Sequence, residues 1–329
     1  MKLMSFLKKL AAPVWLALTA VAANSPAALA QFGSQPVKII FPFAAGGSGD
    51  AVARMLAERI SLITNQPAFV ENRTGGSGMI GVQAVKNAPA DGTTLLLTPF
   101  TLMVIYPHIY PDLKYDPQND FIPISQVCSF EFAIAVGKNS PVKTIREMVE
   151  WIRKDPKAGS YGTPGAGTLP HFFGIAIGRA AGLDYRHVAY RGASAAVADL
   201  VAGQLPTAVL STADVLEHHN QGTVRILATL GVSTSPFVSG IPTLKQSGYD
   251  LSGNGWFALY APSGTLPTTV ERINAIVREY AQSRQFGEKL LTLGLLATGT
   301  SGEELASRQR AETKTWEPII RTSGFRPTD

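Results

Sequence analysis

Two glycine-rich segments hold the residue types that could grip a ligand. Phe43-Ala44-Ala45-Gly46-Gly47-Ser48-Gly49-Asp50 lies between an extended run and a helical one and contains no Lys or Arg. Consecutive glycines permit positive φ, so several backbone N–H groups converge at a helix N-terminus and hold an anion without a formal positive charge. Asp50 reads either as a capping residue in the first helical turn or as a ligand contact. In the second case it meets an amine or a hydroxyl, because it repels a carboxylate. Tyr161-Gly162-Thr163-Pro164-Gly165-Ala166-Gly167-Thr168-Leu169-Pro170-His171 is the matching segment further along. It offers the N–H groups of Gly165 and Gly167, the hydroxyls of Thr163 and Thr168, and His171 at the start of a helix. His171 is either a hydrogen-bonded structural residue or a ligand contact. Two such nests suggest a ligand clamped in a cleft.

Other motifs carry less. Gly76-Ser77-Gly78-Met79-Ile80-Gly81 fits the G-x-G-x-x-G dinucleotide pattern. The acidic residue expected at the end of the next strand is missing, and Thr98-Pro99-Phe100 stands there instead, which favours a tight strand-to-helix turn. Gly192-Ala193-Ser194-Ala195-Ala196 lacks the last glycine of a nucleophile elbow. The five histidines, His108, His171, His187, His218 and His219, form no metal-ligand spacing. Cys128, the sole cysteine, has no intramolecular disulfide partner and reads as a small core residue. Many N–H donors and few paired acid/base groups favour binding over chemistry, with no cofactor and no metal expected.

These loops need a frame. Short β-branched runs alternate with amphipathic stretches, the pattern of an α/β protein with mostly parallel sheets. Val37–Phe41, Ala68–Glu71 and Thr93–Leu97 read as strands. Asp50–Thr64 reads as a helix with Val52, Met55, Leu56, Ile60 and Ile63 on one face. Tyr106–Pro123 is too irregular for one element. The strand-loop-helix grammar restarts near Phe132, giving a strand at Phe132–Val136, a helix at Thr144–Lys154, the loop Tyr190-Arg191-Gly192 leading into a helix, and strands at Thr207–Leu210 and Val224–Leu230. Two helical stretches, Thr268–Arg284 and Gly302–Ile320, close the chain. The expected organisation is two lobes, 31–131 plus 256–329 and 132–255, with the cleft between them.

The chain of 329 residues is 45% hydrophobic and 16% charged, which excludes a disordered tail, a collagen repeat and a disulfide miniprotein. Lys2, Lys8 and Lys9, the apolar run Ala11–Ala23 and Ala28-Leu29-Ala30 together read as a secretory signal peptide over residues 1–30, cleaved before Gln31. The expected compartment is a bacterial periplasm. The leader accounts for three lysines, so the formal +5 falls to +2, with 26 basic against 24 acidic residues, and neither nucleic acid nor an anionic membrane is indicated as partner.

Taken together, the motifs resemble the periplasmic solute-binding proteins of tripartite tricarboxylate transporters, the Bug or tricarboxylate-transport C family. The landmarks are Pro42-Phe43…Gly46-Gly47…Asp50, Val70-Glu71-Asn72-Arg73…Gly75-Gly76, Pro89-Ala90-Asp91-Gly92-Thr93, Tyr115-Asp116-Pro117, Gly165-Ala166-Gly167-Thr168…His171-Phe172, Tyr190-Arg191-Gly192…Gly203-Gln204 and Trp256-Phe257…Ala261-Pro262-Ser263-Gly264-Thr265. The resemblance spans the chain from about Pro36. It implies a type II-like two-lobed binding fold that closes on a hinge around a di- or tricarboxylate, an aromatic acid or an amino acid, and a monomer that delivers this ligand to a large and a small permease subunit. Carboxylate binding would fall on Ala44, Ala45, Gly46, Gly47, Gly167 and Thr168, with Thr98, Tyr190, Arg191 and Gly192 at the rim. Family loops often read Pro-Gly-Gly where this chain has Ala44-Ala45-Gly46-Gly47, so the pocket wall is altered and ligand identity does not transfer. Phe43, Phe100, Tyr106, Phe172 and Phe173 either line an apolar cleft or pack the core. A sensor subunit for a membrane kinase is the alternative within binding modules. An exported hydrolase using Ser194 or Ser48 is the enzyme alternative.

Overall fold

The computed structural model describes residues 35–323 and Phe325; the leader read over residues 1–30 and its cleavage point lie outside them. The first third of that span is three strand-loop-helix units: β1 (Val37–Phe41), α1 (Ser48–Thr64), β2 (Ala68–Asn72), α2 (Met79–Lys86), β3 (Thr94–Pro99) and the one-turn α3 (Thr101–Val104). β1 lies between β2 and β3, parallel to both, as right-handed crossover units require. α1 extends two residues further toward its N-terminus than the apolar pattern predicts. Its N-cap is Gly47, which supplies no side-chain cap, and its apolar stripe of Val52, Leu56 and Ile60 is buried.

The chain then enters β4 (Phe121–Gly137), seventeen residues long, where the sequence reading expects only Phe132–Val136 as strand. The difference has a physical cause. β4 keeps an antiparallel partner along its whole length, absorbing two register shifts against β9 (Asn254–Pro262). Those irregularities, with Pro123 inside the strand, break the two-residue alternation that pattern reading needs.

The middle of the chain repeats the grammar of the start: α4 (Ile145–Lys154), β5 (Ser160–Thr163), α5 (Leu169–Ala181), β6 (Arg186–Ala189), α6 (Ala193–Ala202), β7 (Thr207–Ser211), α7 (Thr212–Asn220) and β8 (Val224–Thr229). β5 lies between β6 and β7, parallel to both. After β9 come α8 (Pro267–Gln282), α9 (Arg284–Thr292), the short β10 (Leu296–Ala297) and α10 (Gly302–Ser323). Ser283 splits what the sequence reading expects as one helix to Arg284. Its φ is −72° and ψ is 139°, outside the helical region, and its hydroxyl caps α9 by accepting the Phe286 N–H.

The strands join as one ten-stranded mixed sheet whose main order is β2-β1-β3-β9-β4-β7-β5-β6. The parallel expectation holds for the two outer groups, β1–β3 and β5–β7. β4 and β9 run antiparallel to each other, and they join those groups antiparallel at β3 and β7. The partner of β4 changes from β9 to β7 between Glu131 and Phe132, so one strand belongs to both halves of the sheet. No helix among the described residues is long and apolar enough to cross a membrane.

Candidate ligand-binding site

A cleft of about 580 Å³, counted with its open mouth, lies where the outer parallel groups face each other across β4 and β9. Phe41 ends β1, Pro99 ends β3 and Ser211 ends β7, and all three line it. Carboxyl ends of parallel strands are where α/β sheets bind ligands, because the helices that follow begin there and aim their N–H groups outward. Besides the one-turn α3, which starts at Phe100 and Thr101, four helices begin on this wall: α1 through Gly47, Ser48 and Gly49, α5 through Thr168 and Pro170, α6 through Ala193, and α7 through Ser211. Each N-terminus carries about half a positive charge. Thr101 and Asp214 add a hydroxyl and a carboxylate; the rest of the lining is apolar, mainly Phe41, Phe43, Phe100, Phe130, Phe132 and Phe257, and among the described residues it contains no Lys, Arg or His.

The loop before α1 is held by charged groups. Asp50 is buried, and its carboxylate accepts the Gly46 N–H at 3.1 Å, two guanidinium bonds from Arg54 at 2.9 and 3.1 Å, and the Asn72 amide at 2.9 Å. Burial pushes the Asp50 carboxyl up, but those donors outweigh it and hold it below the usual carboxylate range. Asn72 also donates to the Phe43 carbonyl at 3.1 Å, so the start and the end of the loop are tied to one side chain. The second half of the molecule grips the same loop from the far side. Ala44 N–H donates to the Arg191 carbonyl at 3.0 Å, Ser194 Oγ donates to the Ala45 carbonyl at 2.9 Å, and Ser48 N–H donates to Asp214 Oδ1 at 2.7 Å. Gly49 packs so closely on the floor that an added Cβ would lie 2.4 Å from the Phe41 ring.

The loop before α5 is held by neutral groups. Thr163 Oγ1 lies 2.6 Å from His187 Nε2 and donates to the Gly165 carbonyl at 3.0 Å, which also receives Thr168 Oγ1 at 2.7 Å. Gly167 N–H donates to His171 Nδ1 at 3.1 Å. The two imidazoles stack with centroids 3.6 Å apart and planes 14° apart. Burial keeps both neutral, pulling His171 down to about 4; burial, and then the unfavourable placing of a second proton beside the His171 imidazole, pull His187 down to about 3. Tyr106 reaches across from the first half, donating its buried hydroxyl to the Ser77 and Ala166 carbonyls at 2.8 and 3.1 Å.

Of the residues expected from sequence, Phe43, Ala44, Gly47 and Thr168 stand on the cleft wall. Gly46 faces an adjoining hollow with Ser194 and His218, and Tyr190 and Arg191 face another beyond Phe43 and Pro164. Ala45 and Gly192 form the seam between the halves; a Cβ on Gly192 would lie 3.0 Å from Ala44 N. Asp50, Thr163, Gly165, Gly167 and His171 support the two loops from behind, and Thr98 is fully buried in β3. Phe100 lines the cleft, whereas Tyr106, Phe172 and Phe173 pack in the core. The sequence reading considers Phe43 and Phe100 for the aromatic floor but not Phe41, Phe130, Phe132 or Phe257, and it does not select Asp214 or Ser211. Ser211-Thr212-Ala213-Asp214 matches the Ser-x-x-Asp capping pattern directly after a strand, a signal that points to the same strand ends as the glycine loops. Ser211 does cap α7, accepting the Asp214 N–H at 3.2 Å and donating to Asp214 Oδ2 at 2.9 Å.

Two halves of mixed α/β structure, joined by shared strands and facing each other across a cleft rimmed by helix N-termini, define a solute-binding protein of the periplasmic type. This chain belongs to the tripartite tricarboxylate transporter family receptors, whose family model matches residues 52–325. It is 30% identical over 293 residues to a Pseudomonas sp. protein named for the tcbD-tcbE intergenic region, covering 88% of this chain and 86% of that one. It is 26% identical over 313 residues to BugT of Bordetella pertussis, covering 94% of this chain and 95% of that one. Among solved structures, the periplasmic binding protein BugD matches with a TM-score of 0.85 at 26% identity, covering 89% of this chain and 99% of that one. An R. palustris protein solved with adipate matches with a TM-score of 0.86 at 26% identity, covering 90% and 99%.

Proposed function

We propose that this protein captures a small organic carboxylate in the periplasm and hands it, chemically unchanged, to the large and small membrane subunits of a tripartite tricarboxylate-type transporter. The observation that carries the reading is the convergence of four helix N-termini on a cleft without a basic side chain. Such a wall binds an anion through fixed N–H dipoles, and the apolar floor accepts a hydrocarbon body. Thr168 stands on the wall at the start of α5, and Gly47, the N-cap of α1, stands there from the other half. Adipate in a neighbour of the same family supports the carboxylate assignment.

In this reading the lobes are 31–131 plus 256–329 and 132–255, β4 and β9 are the crossings, and ligand binding closes the lobes as in hinge-type binding proteins. Phe43, Ala44, Ala45, Gly46 and Gly47 form one jaw, with Thr163, Gly165, Gly167, Thr168 and His171 forming or backing the other. Tyr190, Arg191 and Gly192 seal the rim. The protein acts as a monomer after removal of residues 1–30. Neither Ser48 nor Ser194 has a histidine partner among the described residues, and Ser194 already donates to Ala45, which favours binding over hydrolysis.

Isothermal calorimetry of the purified protein against a broad panel of organic acids tests the proposal. One-to-one binding of at least one acid, recovered unmodified, is the expected result. The reading fails if no acid binds while an ester or amide is turned over. Neighbouring genes for a large and a small permease subunit are expected, where genes for a sensor kinase would favour the sensing role.

A further inference from the structure

Among the described residues Asp214 is the sole ionisable side chain on the cleft wall, and it stands where the ligand is proposed to bind. It comes from the first turn of α7 and reaches across to the opposite half, where Oδ1 takes the Ser48 N–H of α1 at 2.7 Å. An added Cβ on Gly47 would lie 3.4 Å from the same oxygen. Oδ2 is held by the Ser211 hydroxyl at 2.9 Å, and Ser211 Oγ stands 3.4 Å from Ser48 Oγ. The carboxylate is thus fixed on both oxygens by neutral donors. Asp50, the other acid near this loop, is turned away into its own network with Arg54 and Asn72.

A carboxylate at this point changes what the cleft accepts. Its fixed negative charge offsets much of the favourable potential of the α1 and α7 N-termini at one end of the cleft. The α6 N-terminus shares that end, its Ala193 Cβ 3.8 Å from where a Gly47 Cβ would stand, whereas the α5 N-terminus, with Thr168 on the wall, keeps its own. One end therefore attracts an anion, and the other presents hydrogen-bond acceptors without a counter-charge. Burial pushes the Asp214 carboxyl above its usual range in spite of its donors, which is the mark of a charge lacking a cationic partner.

Resting on the carboxylate-binding reading above, we infer that Asp214 selects a carboxylate whose far end carries a hydrogen-bond donor, an ammonium before a hydroxyl, and rejects acids with a second carboxylate there. The six-phenylalanine floor fits the apolar body between those two ends. The acceptor role toward a ligand amine or hydroxyl, which the sequence reading considers for Asp50, falls to Asp214 in this inference.

Matched ligand pairs separate the two ends. 5-Aminopentanoate and adipate have the same methylene chain with ammonium exchanged for carboxylate, and 4-hydroxyphenylacetate and 4-carboxyphenylacetate do the same for a hydroxyl on an aromatic body. In calorimetry at pH 7 the wild-type protein is expected to bind the better donor-bearing acid at least 10-fold more tightly than its dicarboxylate twin. Asp214→Asn keeps an acceptor for Ser48 and removes the charge. It is expected to weaken the ammonium ligand 10-fold or more and to strengthen the dicarboxylate. Thermal melting of the variant without ligand shows whether the fold is kept, and Asp214→Ser serves as a second variant if it is not. Wild-type preference for the dicarboxylates, or equal effects of the substitution on both members of a pair, overturns the inference and leaves carboxylate binding standing. Failure of every acid to bind overturns carboxylate binding itself, and the inference with it.

Discussion

The two loops that face each other across the cleft do the same geometric job with opposite chemistry. Before α1, Asp50, Arg54 and Asn72 hold the backbone through ionised groups, and Asp214 adds a second carboxylate from across the cleft. Before α5, two hydroxyls and two stacked neutral imidazoles hold it instead. The charged frame is partly solvated, with the Arg54 side chain 56% exposed, whereas Thr163 and Thr168 are buried. A backbone nest therefore needs rigid support, and either ionic or neutral bonding supplies it where burial permits. In the proposed reading one jaw rests on an ionic frame and the other on a neutral one.

The largest expected effect comes from glycine substitution, and it differs between the jaws. Gly47 has a φ of −89°, which any residue adopts, and its added Cβ meets only Asp214 Oδ1 and the Ala193 Cβ. Gly47→Val is expected to abolish ligand binding, by at least 100-fold in Kd, with a melting temperature near that of the wild type. Gly167 has a φ of +70°, and its added Cβ would lie 3.2 Å from Ile109 and 3.3 Å from the Tyr110 hydroxyl. Gly167→Val is expected to cost about 1–3 kcal/mol of stability, since a branched residue is strained there. Calorimetry beside thermal melting checks both, and equal behaviour of the two variants would remove the distinction between the jaws.

Acid pH should act on the neutral frame first. His171 and His187 titrate near 4 and 3 in the fold, against an ordinary imidazole value of 6.5. Below pH 6.5 the unfolded chain takes up protons that the folded protein refuses. Stability is therefore fully present above about pH 6.5 and falls as pH drops toward 4, at up to about 1.4 kcal/mol per pH unit for each imidazole. Proton NMR of the two imidazoles should show neither titrating above pH 5. A midpoint near 6.5 for either would mean that the stack is solvated and the jaw is not held as described.

The frame around these jaws was readable to very different degrees. β1, β2, α1 and the glycine loops follow local rules, β-branched runs, a 3.6-residue stripe and positive-φ glycines, so the sequence alone places them. Phe130, Phe132 and Phe257 sit on strands whose long-range pairing breaks alternation, and no local rule marks them as cleft floor. Asp50 and His171 were visible as polar residues in the right loops, but their direction was not. Each turns behind its loop because backbone N–H groups there need acceptors, Gly46 in one case and Gly167 in the other. Asp214 acts across 166 positions of sequence on Ser48, a distance at which only the fold brings partners together.

Loss of the charged support should be smaller than loss of backbone geometry. Asp50→Ala leaves the Gly46 N–H without its carboxylate and the Arg54 guanidinium without its ion pair. The exposed half of that pair is screened by water, so the expected cost is about 1–2 kcal/mol of stability. Affinity should fall several-fold as the loop loosens. Asp50→Asn should retain more of both, because one acceptor oxygen remains for Gly46. Urea unfolding and calorimetry of the pair check this, and a loss of affinity in Asp50→Asn as large as in Gly47→Val would move Asp50 from support to direct ligand contact.

The smallest effect is expected at Arg191, whose residue borders a hollow beside the cleft and not the cleft itself. Arg191 is exposed, and the cleft uses only its carbonyl, which accepts the Ala44 N–H at 3.0 Å and helps seal the two halves. If carboxylates were drawn in and held by side-chain charge, Arg191→Ala would cost 10-fold or more in affinity. A site built on helix N-termini and backbone donors keeps its Ala44 bond in that variant, so Kd should stay within about 2-fold at moderate salt, where an exposed charge is screened. Raising the ionic strength should likewise weaken binding little, since the donors that matter are fixed dipoles within the cleft wall. Calorimetry of Arg191→Ala at low and moderate salt measures both effects, and a steep salt dependence lost in the variant would show that the rim arginine, and not the backbone, carries the anion.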